Sequence, residues 1–170
     1  FPQGASPEVF DFPGATLLPG LVDCHTHTNM PGDGTSVDGV GLEDDGIHLL
    51  TGVKQARLAL ESGVTTMRDN GGWNGVVFSL KEGIHRGLVP GPRIVASGRP
   101  ITMTGGHCWM MGSQADGVEG VRKEVRRLVH LGADYIKVMA SGGSTVGTRP
   151  QEASYSLDEM KALVDEAHIR

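Results

Sequence analysis

The chain has 170 residues, of which 26 are glycines, about twice the usual share of roughly 7%. Its 20 Asp and Glu outnumber its 15 Lys and Arg, and the net charge of −5 excludes a broadly basic nucleic-acid-binding surface. No apolar run is long enough for a membrane helix, and no signal-peptide pattern is visible at the start. The two cysteines, Cys24 and Cys108, are too few for a disulfide framework, so we expect a reduced, cytoplasmic protein.

Short apolar runs that end in glycine-rich loops alternate with amphipathic helical patterns along the chain. These runs predict four β-strands, over residues 21–27, 64–69, 93–97 and 135–140. Helical spacing predicts four helices, over about 49–60, 76–86, 118–129 and, after a capping-box sequence, 157–167. This alternation is typical of an α/β fold with a parallel sheet. Residues 1–16 lack periodicity and are expected to be a linker or a strand remnant, and residues 29–46 a long loop.

The first predicted strand ends in the sequence His-Thr-His at residues 25–27. Alternate residues of a strand point to the same side, so Asp23, His25 and His27 are expected to face inward together. The opposite side, with Val22, Cys24 and Thr26, is expected to face the helices. Neutral imidazole is the commonest metal ligand in proteins, and two of them at a strand end form half of a metal site. A bare H-x-H also occurs by chance, but its place at the end of an apolar strand favours metal binding.

The fourth predicted strand carries a lysine, Lys137, on the side that faces the interior with Tyr135 and Met139 if the sheet closes into a barrel. Burial of a lysine is costly and lowers its pKa, which makes the amine available for covalent chemistry. The alternative is a structural lysine that reaches solvent or pairs with Asp134 or Asp69.

A third candidate is His107, in the glycine-rich loop that follows the third predicted strand. Adjacent glycines let the backbone approach a ligand closely, so His107 could bind or polarise a substrate, or it could simply pack over the sheet. The polar strand residues Asp23, Arg68 and Asp69 could either orient a ligand or form structural ion pairs. The remaining histidines fall on predicted helices and are expected at the surface or at edges; they are His48, His85, His130 and His168.

In four motifs the chain resembles the amidohydrolase superfamily of metal-dependent hydrolases. They are PGLVDCHTH at 19–27, GVTTMRD at 63–69, TGGH at 104–107 and DYIKVMASGG at 134–143. The resemblance is greatest to the imidazolonepropionase-related branch, which includes Xaa-Pro and Xaa-Arg dipeptidases. It implies a (β/α)₈ TIM-type barrel, of which residues 17–170 would form the first half, truncated before strand five, with residues 1–16 as a remnant of a small β-sandwich.

The resemblance also implies a site and a reaction. His25, His27 and Lys137 would bind divalent metal, two zinc ions in many relatives, with Lys137 carboxylated by CO₂. His107 would bind substrate, and a metal-bridging hydroxide would hydrolyse the amide bond of a dipeptide or an N-acyl amino acid. Imidazolonepropionases generally use one metal and no carboxylated lysine, so Lys137 argues against that activity. The general acid/base is expected after strand eight, in the absent second half.

Two other interpretations remain open. A barrel of this type needs about 250 residues, so the chain could be an incomplete, non-catalytic half-barrel that forms a homo-oligomer or associates with the missing half. The same scaffold could also support a cyclic-amide hydrolase or a deaminase. In each case the expected ligand is a small molecule or a dipeptide, with no nucleic acid and no membrane.

Overall fold

The computed structural model describes Gly4, Ser6, residues 8–35 and residues 40–170. Part of the predicted linker and residues 36–39 of the predicted long loop lie outside the described residues. Residues 8–20 form neither a helix nor a strand. Within the described ranges, no helix combines the length and the apolar character that crossing a membrane requires.

Three parallel strands form the main sheet, in the order β1 (Leu21–Thr26), β2 (Val64–Asp69) and β3 (Arg93–Ala96). Helix α1 (Asp45–Glu61) connects β1 to β2, and α2 (Val76–His85) connects β2 to β3. The predicted parallel α/β fold is therefore confirmed. A small parallel pair that the sequence did not predict follows, β4 (Ile101–Thr102) with β5 (Ser113–Gln114). Helices α3 (Gly117–His130) and α4 (Leu157–Ile169) complete the described chain.

The segment over residues 135–140, predicted as a fourth strand, makes only one isolated bridge, between Val138 and Ile101. The Ile101 amide donates to the Lys137 carbonyl (2.8 Å), and the Met139 amide donates to the Ile101 carbonyl (2.9 Å). β3 ends at Ala96, whose carbonyl accepts from the Asp134 amide at 2.8 Å, and the backbone then turns through Gly98 at a φ of 72°. The segment is parallel to Ile101 at its single bridge, and it does not form the continuous strand expected for the fourth βα unit.

The helices bury two separate apolar clusters. Ala56 of α1 and Leu80 of α2 pack with Ile94 and Ala96 of β3. Val121, Val125 and Leu128 of α3 pack with Leu163 of α4 and with Ile101. The expectation that helices cover the outer side of β1 is wrong, because α1 packs on β2 and α2 instead. Val22 is consequently 61% exposed, and Cys24 is exposed as well.

The predicted capping box is present at the start of α4. The Ser156 hydroxyl accepts from the Glu159 amide, and the Glu159 carboxylate accepts from the Ser156 amide. The other oxygen of Glu159 accepts from the Gly117 amide at 2.7 Å, which ties the starts of α3 and α4 together. Near the other end of α4, Glu166 accepts two hydrogen bonds from Arg126 of α3 (2.8 and 2.9 Å) and others from Arg170.

Glu166 gives the first prediction. The hydrogen bonds from Arg126, with a further contribution from Arg170, lower the pKa of Glu166 from 4.5 to about 2. A carboxyl whose pKa is lower in the folded state stabilises the protein above its unfolded pKa and loses that effect as the pH falls. We therefore expect Glu166→Gln to lower the free energy of unfolding at neutral pH, and the difference from wild type to shrink between pH 4.5 and 2.

Urea unfolding of both proteins over this pH interval measures the effect. Glu152→Gln is the matched control, because its carboxylate is 63% exposed and pairs only with Arg149 on the surface. A difference between wild type and Glu166→Gln that stays constant down to pH 2 would contradict the prediction.

Candidate functional site

The four candidate residues from the sequence line one open cavity at the carboxyl ends of the strands. Its volume is about 380 Å³, and its lining includes His25, His27, His107 and Lys137. Met30, Cys108, Met111 and Met139 form much of the remaining wall, and no Asp or Glu belongs to the described lining. A larger cavity of about 700 Å³ lies over β3 between α2 and α3, but it contains none of the candidate residues.

His25 and His27 lie on the same side of the chain at the end of β1, with ring centroids 5.4 Å apart. Nδ1 of His27 lies 2.8 Å from the Gly71 carbonyl oxygen. A carbonyl can only accept, so Nδ1 carries the proton of the neutral ring and Nε2 keeps its lone pair. This is the arrangement in which metal-binding histidines are commonly held, with one nitrogen bonded to the protein and the other free for the ion.

The electrostatics of the cavity favour the neutral form of His25 and of His107. Burial and then the positive charge of Lys137 lower the pKa of His25 below its usual value. The same two causes lower the pKa of His107. Burial also raises the pKa of the Cys108 thiol, so the thiol form is favoured. Lys137 itself is half-buried rather than fully buried, and its ion pair with Asp134 or Asp69 does not occur; instead Asp134 pairs with Lys81 at 2.6 Å.

His107 lies in the loop between β4 and β5, and contacts from β4 and from the loop that carries Thr145 fix its position. The Thr102 hydroxyl donates to its carbonyl oxygen (2.9 Å), and its Nδ1 lies 2.8 Å from the Thr145 hydroxyl. The Cys108 amide donates to the same hydroxyl at 3.0 Å. Cys108 adopts a φ of 54°, which a non-glycine residue rarely does and which the surrounding contacts must hold.

Asp69, which the sequence left open as an orienting residue or an ion-pair partner, is 1% exposed and serves as a hydrogen-bond acceptor. One carboxylate oxygen accepts from the amide (2.8 Å) and the hydroxyl (2.7 Å) of Thr28, and the other accepts from the Gly71 amide (3.0 Å). Its backbone carbonyl accepts from Ser97 (3.1 Å) and from the Tyr135 hydroxyl (2.7 Å). Asp69 therefore joins the ends of β1, β2 and β3 and the start of the 135–140 segment.

Other polar residues differ from the sequence expectation. Arg68 stacks on the Tyr135 ring, 4.0 Å from its centroid, and Asp23 is exposed and accepts from the His25 amide. His48, expected at the surface, is 1% exposed because its ring stacks on Trp73 with centroids 5.0 Å apart. No sequence motif points to Thr145, whereas Thr28 directly follows the His-Thr-His motif.

The side chains that line the cavity include some, but not all, of the ligands that a metal ion needs. His25 and His27 provide two neutral imidazoles on one side, and the Gly71 carbonyl leaves Nε2 of His27 available. The described portion of the chain contains no group of three or more His, Cys, Asp and Glu that could hold an ion. The cavity therefore brings two imidazoles together beside the amine of Lys137.

A parallel α/β sheet with candidate ligands gathered at the carboxyl ends of its strands has the arrangement in which α/β enzymes place their sites. Comparison with known proteins identifies the family. The amidohydrolase family matches residues 16–170, and the chain belongs to this family. An ochratoxinase of Aspergillus niger is 33% identical over 89% of this chain and 36% of its own length.

Solved structures agree with this assignment. A prolidase complexed with N-methylphosphonate-L-proline has a TM-score of 0.78 at 31% identity, covering 95% of this chain and 45% of that chain. A Xaa-Pro dipeptidase with bound methionine has a TM-score of 0.78 at 28% identity, and the match covers 89% of this chain and 41% of the dipeptidase chain. The chain thus spans less than half of the length of each of these relatives.

The Asp69 junction gives the second prediction. Asp69→Asn replaces one acceptor oxygen by an amide nitrogen, which is a donor. In one orientation this nitrogen would face the amide and hydroxyl of Thr28, and in the other it would face the Gly71 amide, and all three groups donate to Asp69 in the wild type. An unsatisfied buried donor costs about 1–3 kcal/mol, so we expect the free energy of unfolding to fall by about 2 kcal/mol. Urea denaturation measures this, with Asp23→Asn as the control because Asp23 is exposed. Equal stabilities of the two variants would contradict the role given to Asp69.

Proposed function

We propose that the chain supplies the His-His-Lys part of a metal-dependent amidohydrolase that cleaves the C–N bond of a dipeptide or an N-acyl amino acid. The observation that carries this proposal is the convergence of His25, His27, His107 and Lys137 on one cavity at the carboxyl ends of the strands. The names of the relatives, an ochratoxinase and two Xaa-Pro-type dipeptidases, support a substrate with an amide bond.

His25 and His27 are the proposed metal ligands. Their rings share one side of the chain, and Nε2 of His27 keeps its lone pair because Nδ1 donates to Gly71. We propose that the divalent metal is zinc and that two ions are present. Zinc ions bound there would polarise the amide carbonyl and lower the pKa of water at this position.

Lys137 is proposed to be carboxylated by CO₂: the amine, after the ammonium loses its proton to solvent, forms an N–C bond to CO₂ and releases a second proton, which leaves a carbamate on the Lys137 side chain. As an ammonium it places a positive charge close enough to lower the pKa of both His25 and His107, and that charge opposes a divalent cation in the same cavity. A carbamate replaces the cation by an anion with two oxygen ligands, so the same side chain would then attract the metal. This chemistry accounts for a lysine in a cavity whose described lining has no carboxylate.

His107 is proposed to bind the substrate rather than the metal. It lies in a different loop from His25 and His27, across the cavity from β1, and its ring is held by Thr145. A neutral imidazole in this position can donate a hydrogen bond to the carbonyl or carboxylate oxygen of a substrate.

The third prediction concerns zinc binding by the purified chain in the presence of bicarbonate. We expect zinc titration calorimetry to detect binding, and His25→Ala or Lys137→Ala to weaken it at least tenfold because each removes a proposed ligand. His85→Ala is the matched control, since His85 is exposed at the end of α2. Intact-protein mass spectrometry should find an adduct with the mass of one CO₂ in the zinc-loaded protein and none in Lys137→Ala.

Hydrolysis is measured in the same preparations, with Xaa-Pro dipeptides and N-acyl amino acids as substrates and lactams and cyclic amidines beside them. Release of free amino acid that depends on zinc and is lost in Lys137→Ala supports the proposal. Preferential opening of lactams or deamination of amidines would favour the alternative activities. Zinc binding that is equal in wild type and His25→Ala would contradict the proposed site.

A second candidate role, association through β1, is favoured by the exposure of this strand. β1 pairs only with β2 in the described part of the chain, and Leu21 and Val22 are 59% and 61% exposed. An open strand edge beside exposed apolar side chains is a common site of pairing with another chain. We propose that a second copy of this chain occupies the edge.

The fourth prediction follows from this edge. Sedimentation velocity at increasing protein concentration should detect dimers, and Val22→Glu should reduce the dimer fraction because it places a charge beside the edge. Val146→Glu is the control, since Val146 is 99% exposed and does not belong to β1 or β2. A monodisperse monomer at all concentrations would contradict the association.

A further inference from the structure

The loop that follows the 135–140 segment holds the ring of His107 from two directions. Gly143 lies against the ring, since a Cβ atom on Gly143 would be only 2.5–2.7 Å from ring atoms Cδ2, Cγ and Nδ1. The Thr145 hydroxyl approaches the edge of the ring, 2.8 Å from Nδ1. Sγ of Cys108 is 3.6 Å from Nδ1 and 3.4 Å from Nε2, so it contacts the ring without selecting one nitrogen.

The Thr145 hydroxyl has two partners with different requirements. The Cys108 amide can only donate, so Oγ1 of Thr145 accepts that hydrogen bond at 3.0 Å. The hydroxyl proton remains, and Nδ1 of His107 is the acceptor within hydrogen-bond distance among the described residues.

We propose that Thr145 is a positioning residue that donates to Nδ1 of His107 and thereby fixes the proton of the neutral ring on Nε2. This inference rests on the proposed role of His107 in substrate binding and assigns the chemistry of that role. With the proton on Nε2, His107 presents a donor to the cavity and has no lone pair there for a metal.

His27 provides the contrast within the same cavity. Its Nδ1 donates to the Gly71 carbonyl, so its Nε2 is an acceptor and suits a metal ion. The partner of Nδ1 thus separates the two histidines: a carbonyl oxygen selects the ligand form, whereas a hydroxyl whose proton has no other acceptor among the described residues selects the donor form. The amino acid type alone does not distinguish them.

The loop that carries Thr145 is itself held in place. The Thr148 hydroxyl bonds the carbonyls of Gly142 and Thr145, and the Ser154 amide donates to the Ala140 carbonyl at 2.9 Å. Because the loop is held at both ends, the Thr145 hydroxyl has a defined position from which to select one tautomer.

The fifth prediction tests this assignment by NMR of the metal-free chain, with ¹⁵N-labelled histidine at a pH where the rings are neutral. In wild type we expect the two ring nitrogens of His107 to have the shifts of the Nε2–H tautomer. Thr145→Val keeps the shape and removes the hydroxyl, and should give a mixture of both tautomers. Thr145→Ser restores the hydroxyl and should restore the wild-type pattern.

Two controls make the test specific. Ser144→Ala removes an exposed neighbouring hydroxyl and should leave the His107 shifts unchanged. The His27 shifts should indicate the Nδ1–H tautomer in every variant. An Nδ1–H tautomer of His107 in wild type, or an unchanged tautomer in Thr145→Val, would falsify the proposal.

Zinc titration supplies a second readout that separates this proposal from the proposed function. If His107 is a donor and not a ligand, Thr145→Val should bind zinc within about twofold of wild type, whereas His25→Ala should bind at least tenfold more weakly. A loss of zinc affinity in Thr145→Val as large as that in His25→Ala would overturn the donor assignment. The tautomer of His107 is measured without metal or substrate, so the NMR result tests this proposal even if the chain has no hydrolase activity.

Discussion

The buried carboxylate of Asp69 is the interaction on which the geometry of the cavity depends. A carboxylate removed from water is costly unless hydrogen bonds replace its hydration, and here three donors from two loops replace it. These bonds can form only when Thr28 after β1 and Gly71 after β2 are both in place. Gly71 then offers its carbonyl to Nδ1 of His27, so the orientation of the imidazole follows from the carboxylate without direct contact between the two. The Asp69 carbonyl extends the same junction to Ser97 and Tyr135.

The sequence predicts the parts of this arrangement that depend on local pattern. Apolar runs and helical spacing locate β1, β2 and β3 and the four helices to within a few residues at each end. The prediction of a strand over 135–140 is not met, because a strand needs a continuous partner and this segment makes a single bridge. That β3 ends at Ala96 is not visible in the composition of the segment itself. Of the residues expected to face inward, His25 and His27 meet Lys137 in the cavity, whereas Asp23 does not line it. The cover expected over Val22 is absent, since helix placement is decided by packing between distant elements.

The roles of individual polar residues are harder to predict, because they depend on partners far away in the chain. Asp69 has two sequence interpretations, and only the positions of Thr28 and Gly71 show that its partners are neutral donors rather than a cation. His27 and Gly71 are 44 positions apart, and His107 and Thr145 are 38 apart. No spacing rule connects such pairs. The buried stacking of His48 on Trp73 is unpredictable for the same reason, since a helical pattern does not specify which side of α1 meets the loop after β2.

The charge of the cavity sets what it can bind. Its described lining offers neutral imidazoles and one lysine and no carboxylate, so with an ammonium at Lys137 it would repel a divalent cation. Carboxylation of Lys137 replaces its positive charge by a negative one. One carbamate does not balance two divalent ions, so under the proposed function the centre would remain net positive. A positive centre beside a histidine donor favours substrates with an anionic end. Dipeptides and N-acyl amino acids both carry a free carboxylate close to the amide to be cleaved, whereas lactams and amidines need carry none, so the electrostatics favour the first group over the second.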